Sequence, residues 1–178
     1  MNKYLESAVV WITGLSGAGK STLAKKLVQK LKKEGIDVIY LDGDELRQVF
    51  GKTQHNQKNY DKEQRIELAL KYSKICKLLV NQNKFIIIST ISLYSEVHKY
   101  NRENLKNYKE IYLEVPIEIL KLRNNKNLYS LFEEGKLKNV VGLDLEYDIP
   151  LNPDLIVKNI KTNDLDRNIN KILKKLTI

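Results

Sequence analysis

The chain has little of what a secreted or membrane-bound protein needs. Cys76 is its only cysteine, which excludes an internal disulfide, and its place in an apolar helical pattern favours a core position. No apolar run approaches the roughly 20 residues of a membrane-spanning helix, and residues 1–7 lack the apolar stretch of a signal peptide. We therefore expect a cytoplasmic protein with no membrane partner.

Repeats and low-complexity linkers are also absent from the sequence. A length of 178 residues, of which 42% are hydrophobic, suits one domain with its own core, spanning residues 1–178. The formal net charge of +9 favours anionic partners, either nucleic acid or a small polyanionic substrate together with ATP. Because the lysines are spread along the chain, the charge is weak evidence for nucleic acid. We expect no nucleic-acid partner.

The most informative stretch is rich in glycine. Residues 14–22, GLSGAGKST, match G-x-x-x-x-G-K-[ST], the pattern of a loop whose backbone N–H groups surround phosphates. An apolar run over 8–13 enters it as a buried strand would, and an amphipathic helix over about 20–33 leaves it. Lys20 is expected to reach the β- and γ-phosphates as a catalytic residue, and the Ser21 hydroxyl to bind Mg²⁺. The predicted ATP-binding residues of this stretch are Gly14, Leu15, Ser16, Gly17, Ala18, Gly19, Lys20, Ser21 and Thr22.

Two carboxylates follow the second predicted strand, over 38–41. Asp42 and Asp44 would emerge at the C-terminal edge of a parallel sheet, where ligands bind in open α/β proteins. Asp44 is therefore a candidate catalytic and metal-binding residue beside Lys20. The alternative is that Asp44 caps the helix that begins with Glu45.

Strands and helices alternate along the rest of the chain, which predicts an α/β fold with a parallel sheet. An unbroken apolar run over 85–89 predicts a strand covered on both faces, and it ends in hydroxyl-bearing residues. Further strands are expected over 110–115 and 154–157. Further helices are expected over about 62–80, from Pro116 to Arg123, and at the C-terminus.

Several basic residues lie where a phosphorylated substrate would need them. Arg65 falls in the first turn of the helix over 62–80, where a cation is unfavourable unless it binds an anion; an ordinary exposed arginine is the alternative. Residues 123–141 interleave Arg123, Lys126 and other lysines with short apolar clusters. That composition suits a lid that closes over phosphates, and a solvated pair of short helices is the alternative.

The remaining motifs favour a kinase over other phosphate-binding proteins. A GTPase should carry a guanine-reading Asn-Lys-x-Asp motif, whereas residues 83–86, NKFI, lack the aspartate. A motor ATPase should have an apolar strand that ends in an acid, whereas the strand over 85–89 ends in Ser89 and Thr90. A nucleotide- or nucleic-acid-binding module without catalysis is the alternative, and it predicts strongly salt-dependent nucleic-acid binding.

Together these motifs resemble those of the adenylylsulfate kinases, which phosphorylate the 3′-hydroxyl of adenosine 5′-phosphosulfate. The similarity covers nearly the whole chain, with GLSGAGKST at 14–22, LDGDELR at 41–47, YDKEQR at 60–65, IS at 91–92, and GLD at 142–144 followed by NPDLIV. It implies a P-loop kinase fold, with a central parallel five-stranded sheet, helices on both faces and a lid. It also implies ATP and Mg²⁺ as cofactors, small nucleotides as substrates, and homodimers, which relatives commonly form.

The resemblance also assigns roles to residues. Asp44 is the base or a metal-side carboxylate, Arg123 belongs to the ATP site, and Lys126 belongs to the lid over both substrates. Ser92 matches a serine that is phosphorylated in the family and is a catalytic candidate, although direct in-line transfer needs no phosphorylated intermediate. The residues implied for the acceptor site are Asp42, Asp44, Arg47, Tyr60, Arg65, Ile91, Ser92, Lys126 and Val140.

The departures from the family pattern concern the acceptor. Two phenylalanines that sandwich the acceptor's adenine in the family correspond here to Tyr60 and Val140, an asparagine to Leu68, and an arginine to Ser95. A stacking partner is worth about 1–3 kcal/mol per base, and a pyrimidine needs a smaller platform than a purine. The resemblance therefore favours the related cytidine diphosphoramidate kinases of bacterial capsule biosynthesis, with adenylylsulfate kinase as the alternative.

Overall fold

A sheet of parallel strands lies at the centre of the molecule. The computed structural model describes residues 5–51, 61–161 and 164–177, with only the backbone of Lys126. Within these ranges the sheet has five strands, namely β1 (Ala8–Thr13), β2 (Val38–Asp42), β3 (Phe85–Ser89), β4 (Tyr108–Glu114) and β5 (Leu155–Lys158). Their order is β2-β3-β1-β4-β5, so the strand that leads into the glycine-rich stretch is central.

The central strands consist mainly of apolar, β-branched residues. Every residue of β1 and β3 is buried, as expected for parallel strands that are covered on both faces. Successive side chains of a strand point to opposite faces. Val10 and Ile12 accordingly belong to the core on one side of the sheet, whereas Val9 and Trp11 belong to the core on the other.

Helices cover both faces of this sheet. Those in the described residues are α1 (Lys20–Lys33), α2 (Gly43–Val49), α3 (Lys62–Val80), α4 (Ser95–Asn104), α5 (Ile117–Arg123), α6 (Leu128–Glu133) and α7 (Asp164–Leu176), with a 3-10 turn, Asn125–Asn127, between α5 and α6. Leu27 of α1 and Ile172 of α7 belong to one core cluster. Leu68 and Cys76 of α3 and Val97 of α4 belong to the other.

The predicted fold class is confirmed, with small shifts at strand ends. The fourth strand begins at Tyr108 instead of Glu110. The fifth begins at Leu155, because the Asp154 carboxylate accepts a hydrogen bond from the backbone N–H of Glu110 (2.9 Å). Cys76 is fully buried, as predicted. Among the helices of the described ranges, none is long and apolar enough to cross a membrane.

The register of the strands brings the polar residues at their C-terminal ends together. Asp42, the last residue of β2, lies opposite Ser89, the last residue of β3, and Ser89 also lies opposite Ile12 of β1. The ends of β2 and β3 therefore flank the loop that follows β1. This C-terminal edge is where ligands bind in open parallel sheets.

Candidate active site

The loop over residues 14–22, here called the phosphate loop, connects β1 to α1. Gly14 has a φ of +151°, and a Cβ at this position would lie 2.7 Å from the carbonyl oxygen of Leu113. Gly19 has a φ of +94° and begins α1 in a left-handed conformation, which a residue with a side chain rarely adopts. These two glycines let the chain turn tightly between strand and helix.

The loop presents polar groups to an open cleft. The loop residues that line the cleft are Ser16, Gly17, Gly19, Lys20, Ser21 and Thr22. The Lys20 ammonium donates to the carbonyl oxygen of Leu15 (2.9 Å). The side chains of Leu15 and Ala18 pack in the core instead, so any part these two take in ATP binding comes from their backbone.

Asp42 connects the end of β2 to the phosphate loop. Its Oδ2 accepts from the hydroxyls of Ser21 (2.8 Å) and Tyr40 (2.7 Å) and more weakly from Ser89 (3.3 Å), while Oδ1 accepts from the backbone N–H of Asp44 (2.9 Å). Asp42 is therefore the residue that caps α2, since the helix begins one residue after it. The alternative in which Asp44 is the cap is wrong.

The surroundings of Asp42 keep it ionised. Burial raises the pKa of its carboxyl group, but the hydrogen bonds from Tyr40, Ser21 and the Asp44 N–H outweigh that effect and hold the pKa below its ordinary value of 3.8. Burial also raises the pKa of Tyr40 to about 12, so its hydroxyl stays a donor. The carboxylate and the Ser21 hydroxyl thus form one polar unit beside Lys20.

Asp44 and Arg47 face the cleft from α2. Both line it, and the Arg47 guanidinium donates to the Asp44 carboxylate one turn away. About half of the Asp44 side chain is exposed (48%). An exposed carboxylate at the cleft can reach a substrate hydroxyl, and a paired arginine at the same wall can reach an anionic group.

Residues 90–94, here called the acceptor loop after their predicted role, follow β3 and contribute to the lining of the same cleft. Ile91 and Ser92 line the cleft, and their role at the acceptor stays a prediction. Ser92 is buried and has a φ of +31°, a left-handed conformation that costs of order 1–3 kcal/mol for a residue other than glycine. Its hydroxyl is hydrogen bonded to that of Thr90 (2.9 Å), and surrounding contacts must offset the strain.

Arg65 joins α3 to a turn near the end of the predicted lid. It lines the cleft, and its guanidinium donates to the carbonyl oxygen of Asn139 (2.8 Å). The Asp144 carboxylate accepts from the N–H groups of Asn139 (2.8 Å) and Val140 (2.5 Å), and so fixes the turn. Val140 is buried. Arg65 is therefore not an ordinary exposed arginine.

The predicted lid, residues 123–141, contacts the phosphate loop. The Arg123 guanidinium donates to the carbonyl oxygens of Gly17 (3.1 Å) and Asn159 (2.5 Å). The Tyr129 hydroxyl donates to the carbonyl oxygen of Ser16 (2.9 Å) and its ring is buried. The segment is built from short helices, as in the alternative interpretation, but these helices pack on the loop.

Comparison with known proteins identifies the family. The sequence model of the adenylylsulphate kinase family matches residues 6–158. The chain belongs to the adenylylsulfate kinase family. It is 42% identical over 170 residues to the cytidine diphosphoramidate kinase of Campylobacter jejuni, covering 96% of each chain. It is 35% identical over 167 residues to the adenylyl-sulfate kinase of Gloeothece citriformis, covering 94% of this chain and 92% of that one.

A solved structure of the family has the same fold. The APS kinase of Mycobacterium tuberculosis, in complex with AMPPNP and APS, superposes with a TM-score of 0.84 at 27% identity. The comparison covers 96% of this chain and 97% of that one. This likeness over the whole length places the chain among the P-loop kinases.

In this family member, the cleft collects most of the predicted site residues. Outside the phosphate loop, those that line it are Asp42, Asp44, Arg47, Arg65, Ile91 and Ser92. Arg123 and Val140 do not line the cleft: the Arg123 guanidinium donates to the Gly17 carbonyl oxygen, and the Val140 N–H donates to Asp144. Tyr60 and the Lys126 side chain lie outside the described residues, so their assignments stay predictions.

Sequence reasoning missed several residues around the cleft. Tyr40 lies two positions before Asp42 on β2 and therefore shares its face of the sheet, a signal that was available. Tyr72 lines the cleft seven positions after Arg65, a helical spacing that was also readable. Asn159, whose amide donates to the carbonyl oxygen of Ala18 (2.8 Å), had no such signal. Leu68, expected near the acceptor, packs in the core.

Proposed function

We propose that this chain is an ATP- and Mg²⁺-dependent kinase that phosphorylates the 3′-hydroxyl of cytidine diphosphoramidate, for the biosynthesis of a capsule polysaccharide. The observation that carries this proposal is the 42% identity with the Campylobacter jejuni cytidine diphosphoramidate kinase, against 35% with the Gloeothece citriformis adenylyl-sulfate kinase. The small Val140 and the uncharged Ser95 support the same acceptor, because in the family pattern they replace a phenylalanine and an arginine of the acceptor site.

The phosphate loop suits ATP. Its backbone turns around the cleft, the N-terminus of α1 points there, and Lys20 supplies a positive charge at the same wall. The Arg123 guanidinium and the Asn159 amide donate to carbonyl oxygens of the loop, at Gly17 and Ala18. These contacts support a rigid ATP site that exists before the substrate binds.

The donor set beside the loop suits Mg²⁺. Mg²⁺ in kinases is held by one or two carboxylates and the substrate phosphates, and it keeps several waters. Ser21 and Asp42 provide a hydroxyl and an ionised carboxylate 2.8 Å apart, with Asp44 on the next helix. Within the described residues there is no cluster of three or more His, Cys, Asp or Glu side chains that could hold a metal ion. When bound, the ion would neutralise charge on the phosphates.

The reaction is an in-line transfer of the terminal phosphoryl group. The 3′-oxygen of the acceptor bonds to the γ-phosphorus of ATP while the bond from that phosphorus to the β,γ-bridging oxygen breaks, and ADP leaves. Asp44 is assigned as the general base that accepts the proton of the 3′-hydroxyl. Arg47 and Arg65 are assigned to bind the anionic groups of the acceptor. Ser92 is assigned to position the acceptor and not to carry a phosphate.

A side-by-side assay tests the proposal. Coupled ADP release is measured with cytidine diphosphoramidate and with adenylylsulfate at equal concentrations, with the Lys20→Ala variant as the blank. We expect kcat/KM to favour the cytidine compound by at least ~10²-fold, or about 2.7 kcal/mol of differential transition-state binding. Equal or better turnover of adenylylsulfate would reassign the chain to the second candidate, which the family match favours.

The same proposal covers the setting of the enzyme. A single kinase domain with the lid over 123–141 would work in the cytoplasm, where ATP is available. A homodimer is also proposed, by analogy with the family resemblance. Analytical ultracentrifugation of the purified chain would test the oligomeric state directly.

A further inference from the structure

His98, on α4, is a partly buried histidine that the proposed reaction does not use. Its side chain is 11% exposed. Its Nε2 lies 3.1 Å from the carbonyl oxygen of Ser92 in the acceptor loop and 3.9 Å from Oε1 of Glu110 on β4. Because both neighbours of Nε2 are acceptors, the proton of the neutral imidazole belongs on this nitrogen. His98 then donates to the Ser92 carbonyl.

The acceptor loop depends on such contacts. Ser92 holds a left-handed conformation without being a glycine. Three successive carbonyl groups of the loop each accept a hydrogen bond from a different part of the chain. The donors are the Thr13 hydroxyl to Ile91, His98 to Ser92, and the Asp148 N–H to Leu93 (2.9 Å). His98 holds the middle carbonyl, at the strained residue itself.

Glu110, on β4, is the carboxylate beside the histidine, 3.9 Å from its Nε2. It is a buried carboxylate, and it accepts from the hydroxyl of Tyr108 (3.1 Å) and from the guanidinium of Arg102 (3.3 Å). Arg102 in turn pairs with Asp154 (2.8 Å). Such a fully paired charge cannot move without losing its partners. The Glu110 carboxylate therefore has a fixed position beside the His98 ring.

We propose that His98 is a positioning residue of the acceptor site, whose Nε2–H holds the Ser92 carbonyl and so keeps Ile91 and Ser92 against the cleft, with Glu110 orienting its ring. The identity of the acceptor rests on the function proposed above. The hydrogen bond and the tautomer do not. Because His98 contacts no phosphate-loop residue in these interactions, its removal should weaken acceptor binding and leave ATP binding unchanged.

The charge state of His98 agrees with this role. Burial lowers the pKa of the imidazole below its ordinary value of 6.5, and the Arg102 cation acts in the same direction. Glu110, the Ser92 carbonyl and Asp148 act in the opposite direction without reversing the shift. The ring is therefore neutral near pH 7 and has one N–H to donate.

The tautomer can be measured without any substrate. The chain has two histidines, His55 and His98, so ¹⁵N-labelled histidine gives two sets of ring signals in two-bond ¹H–¹⁵N spectra. The His98→Gln variant assigns them by loss of one set. We expect His98 to be the Nε2–H tautomer at neutral pH. A proton on Nδ1, or a charged ring, overturns the proposal.

Steady-state kinetics then distinguish a positioning role of His98 from a general structural role. His98→Leu, which removes the donor, should raise KM for the acceptor by about tenfold or more, while KM for ATP changes less than about twofold. His98→Gln, which keeps an N–H near the ε position, should retain the acceptor KM within about threefold. Lys99→Ala, at an exposed neighbouring position of α4, is the control and should match the wild type. Equal effects of Leu and Gln, or equal rises in both KM values, overturn the proposal.

These outcomes are distinguishable from failure of the proposed function. If the wild type turned over neither nucleotide acceptor, the proposed function would fail, while the tautomer would still decide the role of His98 in holding Ser92. If His98→Leu did not fold, the comparison of His98→Gln with Lys99→Ala and the spectra of the wild type would still be available.

Discussion

At the phosphate end of the cleft the residues that line it come mainly from one continuous stretch, residues 16–22, whereas at the proposed acceptor end the lining residues come from segments far apart in the chain. Lys20 bonds to Leu15, five residues away. On the acceptor side, Arg65 bonds to Asn139 and Thr13 bonds to Ile91, over separations of 74 and 78 residues. A local site is retained as a unit, but a site assembled from several segments can change one segment at a time. This difference explains how a family can keep ATP and change the acceptor.

The largest effect is expected at the phosphate end, from Lys20→Ala. The variant loses a positive charge aimed at the developing negative charge of the transferred group, so kcat should fall by about 10³-fold or more with either acceptor. Lys25→Ala, at an exposed position of α1, should keep full activity. Coupled ADP release measures both variants. Activity of Lys20→Ala within about tenfold of the wild type would mean that this loop is not the ATP site.

A smaller but still large effect is expected from Asp44→Asn, at the boundary between the two ends. The change keeps the size of the side chain and removes its charge, so kcat should fall by about 10²-fold or more while the melting temperature stays unchanged. Glu45→Gln, in the same turn and exposed, is the matched control. An unchanged kcat would exclude Asp44 as the base.

At the acceptor end, Val140→Phe should alter selectivity and not the chemical step. A phenylalanine restores a platform for a purine, so the preference for the cytidine compound over adenylylsulfate should narrow by about tenfold. The larger ring enters a buried position and should cost about 1–3 kcal/mol of stability. Leu122→Phe, on an exposed site of α5, controls for the added ring. A preference that stays constant would remove Val140 from the specificity of the enzyme.

The smallest effect concerns the pH dependence of stability, through Asp42. Its pKa is lower in the folded state than the ordinary 3.8, so its stabilising contribution is complete above that value and is lost as pH falls below it. Asp42→Asn keeps a residue that can cap α2 but cannot ionise. In urea unfolding between about pH 5 and pH 3 the variant should lose less stability than the wild type. Parallel pH curves would show that Asp42 has no lowered pKa.

Much of the fold could be predicted because its signals are local. The bounds of β1, α1, α3 and β3 follow from apolar periodicity and from the glycine-rich loop, and the structure confirms them. The starts of β4 and β5 could not be placed as well, because the Asp154 carboxylate bonds to the Glu110 N–H of the neighbouring strand, which no local pattern shows.

The candidate site likewise contains some residues that local motifs predict and others that only the folded structure places. Lys20 and Ser21 are readable from one motif, and Asp42 and Asp44 from the end of a strand. Which of the two aspartates caps α2 depends on the register that sets Asp42 opposite Ser89, and register is a property of paired strands. Leu68 stands where the family pattern has an asparagine, and its helix face turns it into the core.

The buried Cys76 has a practical consequence for testing whether the predicted lid moves. Burial raises the pKa of its thiol to about 12, so the reactive thiolate is almost absent at neutral pH. Thiol-directed dyes should therefore leave the native enzyme unlabelled. A cysteine introduced at exposed Glu134, on the segment that contacts the phosphate loop, would then carry a single fluorophore without removing any native residue of the core.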